Sequence, residues 1–340
     1  MTPYERLHRM VAGETVDRPG ISVWKHFFLD DRYVTDHVRR SIAFQDMGNW
    51  DFIKIMTTNV HMEAAYGSKI KWTNNEGERT LVVSKPLKSP KEIAEMSVCD
   101  VTTGPLHKEV EVARLLSEHY NGKVPVLGTV DTPASYLKAL YCGFEDPARF
   151  TALIRDYPDE FKKGLETMTK VCVALAEEYV KAGVDGIFIA TNIASELYMT
   201  EQEYMDIVLP SELAVAEAVA GKTWFNVLHL HGNGNVFFDQ LVSRMPVQAV
   251  NWHTVTSSVS MEEAAKKTDK ILIGGLDHMS DFSFADRDQL DERLRERVKL
   301  AVSSVPANRL IVATGCSVIP PNVPDARISR LTDIVEDICK

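Results

Sequence analysis

The sequence predicts one α/β domain of the (β/α)8 TIM-barrel class, spanning residues 1–340. Three observations lead there. The chain has 340 residues, enough for one large barrel. Eight short β-rich runs alternate with longer amphipathic stretches. Polar residues, including five of the ten histidines, gather just after those runs, where a barrel carries its chemistry.

In chain order, a charged N-terminal stretch, MTPYERLHRMVAGETVDRPG, forms a helical lead-in. The expected strands are Ile21–Trp24, Phe52–Met56, Val124–Thr129, Gly186–Ala190, Trp224–His231, Val247–His253, Ile271–Leu276 and Leu310–Ala313. Lys69–Trp72, the polar turn TNNEGER and Leu81–Val83 read as a β-hairpin insertion near 69–84. The longest helix is Asp159–Ala182, with Phe161, Leu165, Met168, Val171, Cys172, Leu175, Ala176, Tyr179 and Val180 at helical spacing. Pro158 precedes it, where a missing N–H costs nothing, and Gly183 follows as its cap. An open doubly wound sheet is the rival, but no GxGxxG follows the first strand.

Composition narrows the function. Lys+Arg number 38 against 48 Asp+Glu, a net charge of −10, so no nucleic-acid surface is expected. No apolar run is long enough for a membrane span, and the N-terminus lacks a signal-peptide core. Five scattered cysteines without a CxxC suit a reduced, cytoplasmic setting. Monomer and homodimer both stay open.

Among the residues after the strands, His229-x-His231 is the sharpest pattern, because alternation puts both imidazoles on one face. Cys316 follows the eighth strand and enters the same mouth. Two His and one Cys with an open fourth position suit a catalytic zinc site. The plain alternative is a pair of hydrogen-bonded core histidines and a buried cysteine. His26, His253 and His278 are each candidates for ligand, proton handler or substrate contact. Asn251 joins His26 and His253 in orienting substrate or managing protons. Trp24 and Trp252 are expected to flank the mouth and stack on a planar substrate, although core packing is the commoner use of Trp. Cys99, Cys142, Cys172 and Cys339 receive no role.

Several passages resemble the uroporphyrinogen decarboxylase superfamily: VPVLGTVDTPASYLKALYCG (124–143), EEYVKAGVDGIFIA (177–190), GGLDH (274–278) and the opening ERLHRMVAGETVDRPG. The likeness covers nearly the whole chain in order and implies the barrel fold. The decarboxylase branch holds substrate carboxylates with an arginine-rich loop after the first strand, where this chain has WKHFFLDDRY. Its aspartate after the second strand falls on Thr58, and its Asp-Ser after the fourth on Thr191-Asn192, which makes Thr58 and Asn192 substrate-contact candidates. A site poor in cations disfavours a polyanionic tetrapyrrole.

The other branch, the corrinoid-dependent methyltransferases, carries a zinc site of the form His-x-Cys-Gly after the fifth strand and Gly-Cys after the eighth. LHLHGN (228–233) and TGCSVIPPNVP (314–324) resemble these halves, with His231 in place of the usual Cys. The resemblance implies zinc on His229, His231 and Cys316, a small substrate, and a corrinoid (cobalamin) on a partner protein. A metal-free, decarboxylase-like lyase on a smaller substrate is the first alternative. A non-catalytic protein on the same scaffold is the second.

Overall fold

A computed structural model describes residues 1–143 and 146–340. The strands are β1 (Gly20–Ile21), β2 (Ile53–Lys54), β3 (Lys69–Lys71), β4 (Leu81–Ser84), β5 (Val126–Asp131), β6 (Gly186–Thr191), β7 (Val227–Leu230), β8 (Ala249–Trp252), β9 (Ile271–Leu276) and β10 (Leu310–Thr314). Eight of them form one parallel sheet in the order β1-β10-β9-β8-β7-β6-β5-β2. β3 and β4 form the expected antiparallel hairpin. Strands separated by helices, and buried on both faces, read as near-continuous apolar runs, which is why the eight were visible in the sequence.

The first two predicted strands are shorter than expected. β1 pairs with β10 through Gly20 and Ile21 only. Beyond it the Trp24 carbonyl accepts from Val318 N, in the segment after β10, rather than from a neighbouring strand. Among the described residues no ladder joins β1 to β2, so the sheet is a curled eight-stranded one whose seam is bridged individually. Asp51 N donates to Ile21 O at 2.7 Å, and Ser22 Oγ donates to Phe52 O at 3.0 Å. The Asp51 carboxylate accepts from Ile21 N at 2.7 Å and from Arg18 Nη1 at 2.7 Å, and it also pairs with Arg6. One fully buried carboxylate thus satisfies a strand N–H that a closed ladder would have taken, and two guanidinium groups compensate its charge.

Strand alternation sorts the side chains into two cores. Trp24, Phe52, Met56, Leu127, Phe188, Val227, Ala249, Ile273 and Ala313 pack together inside the curl. The opposite parity, including Leu228, Val250, Trp252, Leu272 and Val312, packs against the helices. The long helix runs Pro158–Lys181 and buries all the predicted apolar positions except Val180. Gly183 follows its C-cap with φ +84°, a left-handed conformation that disfavours a side chain. No helix among the described residues is long and apolar enough to cross a membrane.

Candidate metal centre

The inward parity that fills the lower interior with apolar groups continues upward into polar ones. On β7 the inward set runs Val227, His229, His231, and on β8 it runs Ala249, Asn251, His253. Cys316 lies two residues past the end of β10. One ligand atom each from His229, His231, His253 and Cys316 lies within 4.8 Å of all the others. The expected trio therefore converges, and His253 joins it. His231 Nδ1 stands 3.5 Å from Cys316 Sγ, and the His229 and His231 rings are 5.8 Å apart between centroids.

The surroundings fix how each donor is presented. Asn251 Nδ2 donates to Ile273 O at 2.9 Å and Thr314 O at 3.1 Å, which sets the orientation of its amide. Its Oδ1 is therefore the acceptor facing His229, 2.6 Å from Nδ1. His229 must donate from Nδ1, leaving the Nε2 lone pair for the centre. Burial pushes the His229 imidazole down to about 4, so it stays neutral at physiological pH. His253 Nδ1 lies 3.0 Å from Asn233 Oδ1, which likewise makes it the donor. Its Nε2 is buried and has no hydrogen-bond partner among the described residues. Burial by itself raises the Cys316 thiol, but His231, His229 and His253 outweigh it and hold it well below the ordinary thiol range. Gly315 permits this approach: a Cβ there would meet His253 Cα at 2.8 Å and Trp252 O at 2.9 Å.

A buried imidazole nitrogen with no partner, a second ring nitrogen freed by its neighbour's hydrogen bond, and a thiol favoured as thiolate are the donor set zinc takes. The residues present fit that ion.

The other expected residues divide. His278 is buried with its ring 4.5 Å from that of His253, and burial lowers its pKa. His26 stacks on Phe28 at 4.9 Å, and burial pushes it down to about 3. It borders a cavity of about 410 Å³ also lined by Asn59, Glu63, Arg79 and Lys85. Asn192 is half-buried, and its backbone N–H donates to Ser135 Oγ at 2.8 Å.

Three expectations are corrected. Trp24 is 3% exposed and packs on Phe188 and Phe52 inside the curl, one layer below the mouth. Trp252 has the opposite parity to Asn251 and His253; it is fully buried against Phe238 and donates to Val259 O at 2.7 Å. Neither ring is free to stack on a substrate. Thr58 Oγ1 donates to Asp31 O at 2.9 Å and accepts from Lys108 Nζ at 2.7 Å, so that hydroxyl is committed to the protein.

Two groups were missed. Lys54, on the inward side of β2, lies 4.7 Å over the Phe188 ring. Burial pushes its amine down to about 8, while Cys316 and Asp131 act in the opposite sense. Asp131, at the end of β5, is raised by burial, with His61, Lys54 and His231 opposing. A charged residue inside the otherwise apolar run FIKIM was the signal for Lys54.

Comparison with known proteins agrees with this architecture. The methylcobamide:CoM methyltransferase MtbA of Methanosarcina acetivorans is 20% identical, over 99% of this chain and 98% of that one. A methyltransferase from Methanosarcina mazei superposes with a TM-score of 0.81 at 17% identity, covering 100% of both chains. A B12-independent methionine synthase from Shewanella sp. W3-18-1, solved with selenomethionine, gives a TM-score of 0.59 at 16% identity, over 94% of this chain and 96% of that one. The profile described as uroporphyrinogen decarboxylase (URO-D) matches residues 41–338, and the chain belongs to that family.

Proposed function

We propose that this protein is a zinc-dependent methyltransferase of the corrinoid-linked type, which moves a methyl group between a small substrate and a corrinoid carried by a partner protein. The observation that carries this reading is the convergence of His229, His231 and Cys316 at the mouth of the curled sheet. The full-length likeness to a methylcobamide:CoM methyltransferase supports it.

His229, His231 and Cys316 would hold the ion. Bound there, zinc supplies Lewis acidity, presenting a coordinated thiol as its thiolate near neutral pH or polarising a methyl donor. Asn251 fixes the His229 tautomer so that Nε2 faces inward without competition from a proton. His26, a neutral imidazole whose buried Nδ1 has no hydrogen-bond partner among the described residues, offers the substrate a hydrogen bond rather than a charge. Lys54 and Asp131 contribute charge near Cys316 and His231. In this reading His278, whose ring lies 4.5 Å from that of His253, and Asn192, past the end of β6, would contact the substrate. In this reading the corrinoid protein docks over the end of the sheet that carries the four donors.

The test follows the cobalt absorbance of methylcobalamin incubated with the protein and 2-mercaptoethanol as acceptor. Demethylation by wild type, abolished in Cys316→Ala, is the expected result. Turnover of a carboxylated substrate that survives removal of the metal would replace this reading with the lyase.

A further inference from the structure

A second space adjoins the mouth. The cavity of about 410 Å³ bordered by His26 is lined by Arg79 and Thr80, which lead into β4, by Asn59 past the end of β2, and by Glu63 on the helix His61–Ala65. His26 ties this space to the mouth, because it lines the cavity and its ring also feels the charge of Cys316. A substrate whose reacting atom sits at the mouth has room for its remainder here.

The wall carries charges of both signs that do not satisfy each other. Glu63 is 5% exposed, and among the described residues no other side chain donates a hydrogen bond to its carboxyl or closes an ion pair with it. Burial raises that carboxyl, while its own backbone N–H, His61 and Lys85 oppose, so Lys85 lies within electrostatic reach. Lys85 Nζ donates to Ala139 O at 3.3 Å, which leaves two of its three N–H bonds without a partner among the described residues. Room for this ammonium comes from Gly143, where a Cβ would lie 2.5 Å from Nζ. Arg79 is a second cation on the same wall; after burial, its charge is the next influence holding the His26 ring neutral. Asn59 Nδ2 donates to Thr80 O at 2.9 Å, which sets the amide so that its buried Oδ1 is an acceptor with no partner among the described residues.

A buried carboxylate and an amide oxygen call for donors, whereas the cationic side calls for acceptors. A ligand with an anionic group alone answers the cationic side and leaves Glu63 and Asn59 as they are. One with an ammonium alone adds a third cation beside Lys85 and Arg79. A small molecule that carries both groups a few bonds apart answers the whole wall.

We propose that this cavity is the subsite for a zwitterionic tail, the α-ammonium and α-carboxylate of a thiol amino acid, with Lys85 and Arg79 on the carboxylate and Glu63 and Asn59 on the ammonium. This rests on the methyltransferase reading above and names the class of substrate for it.

Four thiols of matched chain length test it with methylcobalamin and the wild-type protein. L-Homocysteine carries both groups, 4-mercaptobutanoate only the carboxylate, 3-aminopropane-1-thiol only the ammonium, and propane-1-thiol neither. In each case the sulfur–methyl bond forms as the cobalt–methyl bond breaks; cobalt keeps the electron pair, and the thiol proton passes to solvent. Cobalt absorbance gives kcat/KM, taken relative to the uncatalysed rate with the same thiol. The value for homocysteine is expected to exceed each of the others by about tenfold or more. Equal values for all four, or 4-mercaptobutanoate matching homocysteine, overturn the proposal and leave methyl transfer standing. Glu63→Gln is expected to narrow the ratio of homocysteine to 4-mercaptobutanoate, and Lys85→Met the ratio of homocysteine to 3-aminopropane-1-thiol. These ratios do not depend on how much of a variant is folded, and ratios unchanged in both variants overturn the assignment of this wall. Wild-type protein that demethylates methylcobalamin with none of the four overturns both readings.

Discussion

Replacing Asn251 by Ala separates the metal centre from the rest of the interior. The side chain is fully buried and makes three hydrogen bonds, of 2.6 Å to His229 and of 2.9 and 3.1 Å to strand carbonyls. Losing three such bonds, at about 1 kcal/mol each, lowers stability by about 3 kcal/mol. His229 also loses the acceptor that fixes its tautomer, and loss of such a partner typically weakens metal binding about 10–100-fold. The adjacent Trp252→Phe is the control. It removes the 2.7 Å bond to Val259 O on the opposite face of the same strand, costing about 1 kcal/mol of stability and leaving zinc affinity unchanged. Zinc dissociation constants come from competition with a chromophoric chelator, and stability from urea unfolding of the same samples. Wild-type zinc affinity in Asn251→Ala refutes the reasoning, as does an equal loss of affinity in Trp252→Phe.

Three further outcomes follow from the coordinates. Gly315→Ala drives a methyl into the backbone of Trp252 and His253, so zinc affinity and thermal stability should fall together, the latter by about 1–3 kcal/mol; unchanged melting would mean that the Gly315 contact is loose. Asp51→Ala takes from Arg18 its paired carboxylate at the sheet seam, leaves Arg6 with Asp17 alone and frees the Ile21 N–H, and should cost about 3–5 kcal/mol, read by urea unfolding, with a loss under 1 kcal/mol counting against the seam's role. Glu212 is fully buried beneath Tyr204 Oη at 2.6 Å, and burial raises its carboxyl to about 7 despite that hydrogen bond. The folded state therefore holds a proton that the unfolded chain releases near the ordinary carboxylate value. Stability from this group is complete at low pH and lost as pH rises from there to about 7. Glu212→Gln should match wild type near pH 5 and exceed it at pH 8 by at most about 3 kcal/mol, measured by melting across that range. A constant difference between the two would remove the titration.

Much of this was legible because strand period is strict. The two-residue alternation that brought His229 and His231 to one face also places Asn251 and His253 inward and Trp252 outward. Applied to Asn251-Trp252-His253 at the end of the sixth expected strand as rigorously as to HLH, it separates His253 from Trp252 on sequence alone. What the sequence hid were partners supplied from far along the chain. Thr58 is occupied by Asp31 and by Lys108, which lies 50 residues away, and nothing local announces that. The seam between β1 and β2 was hidden in the same way, since the groups that meet Asp51 there, Arg6 and Arg18, lie 45 and 33 residues from it. The alternation of short β-rich runs with amphipathic stretches pointed to the class of the fold, the two-residue period to the faces, and only tertiary packing decided which polar groups were left free.

The most direct measurement is elemental analysis of the protein purified without added metal, alongside Cys316→Ala and His231→Ala prepared in the same way. About one zinc per chain in wild type, with both variants depleted, is the outcome the four converging donors require. Wild-type protein free of zinc, or variants that retain it in full, would mean that these side chains meet for some purpose other than gripping an ion.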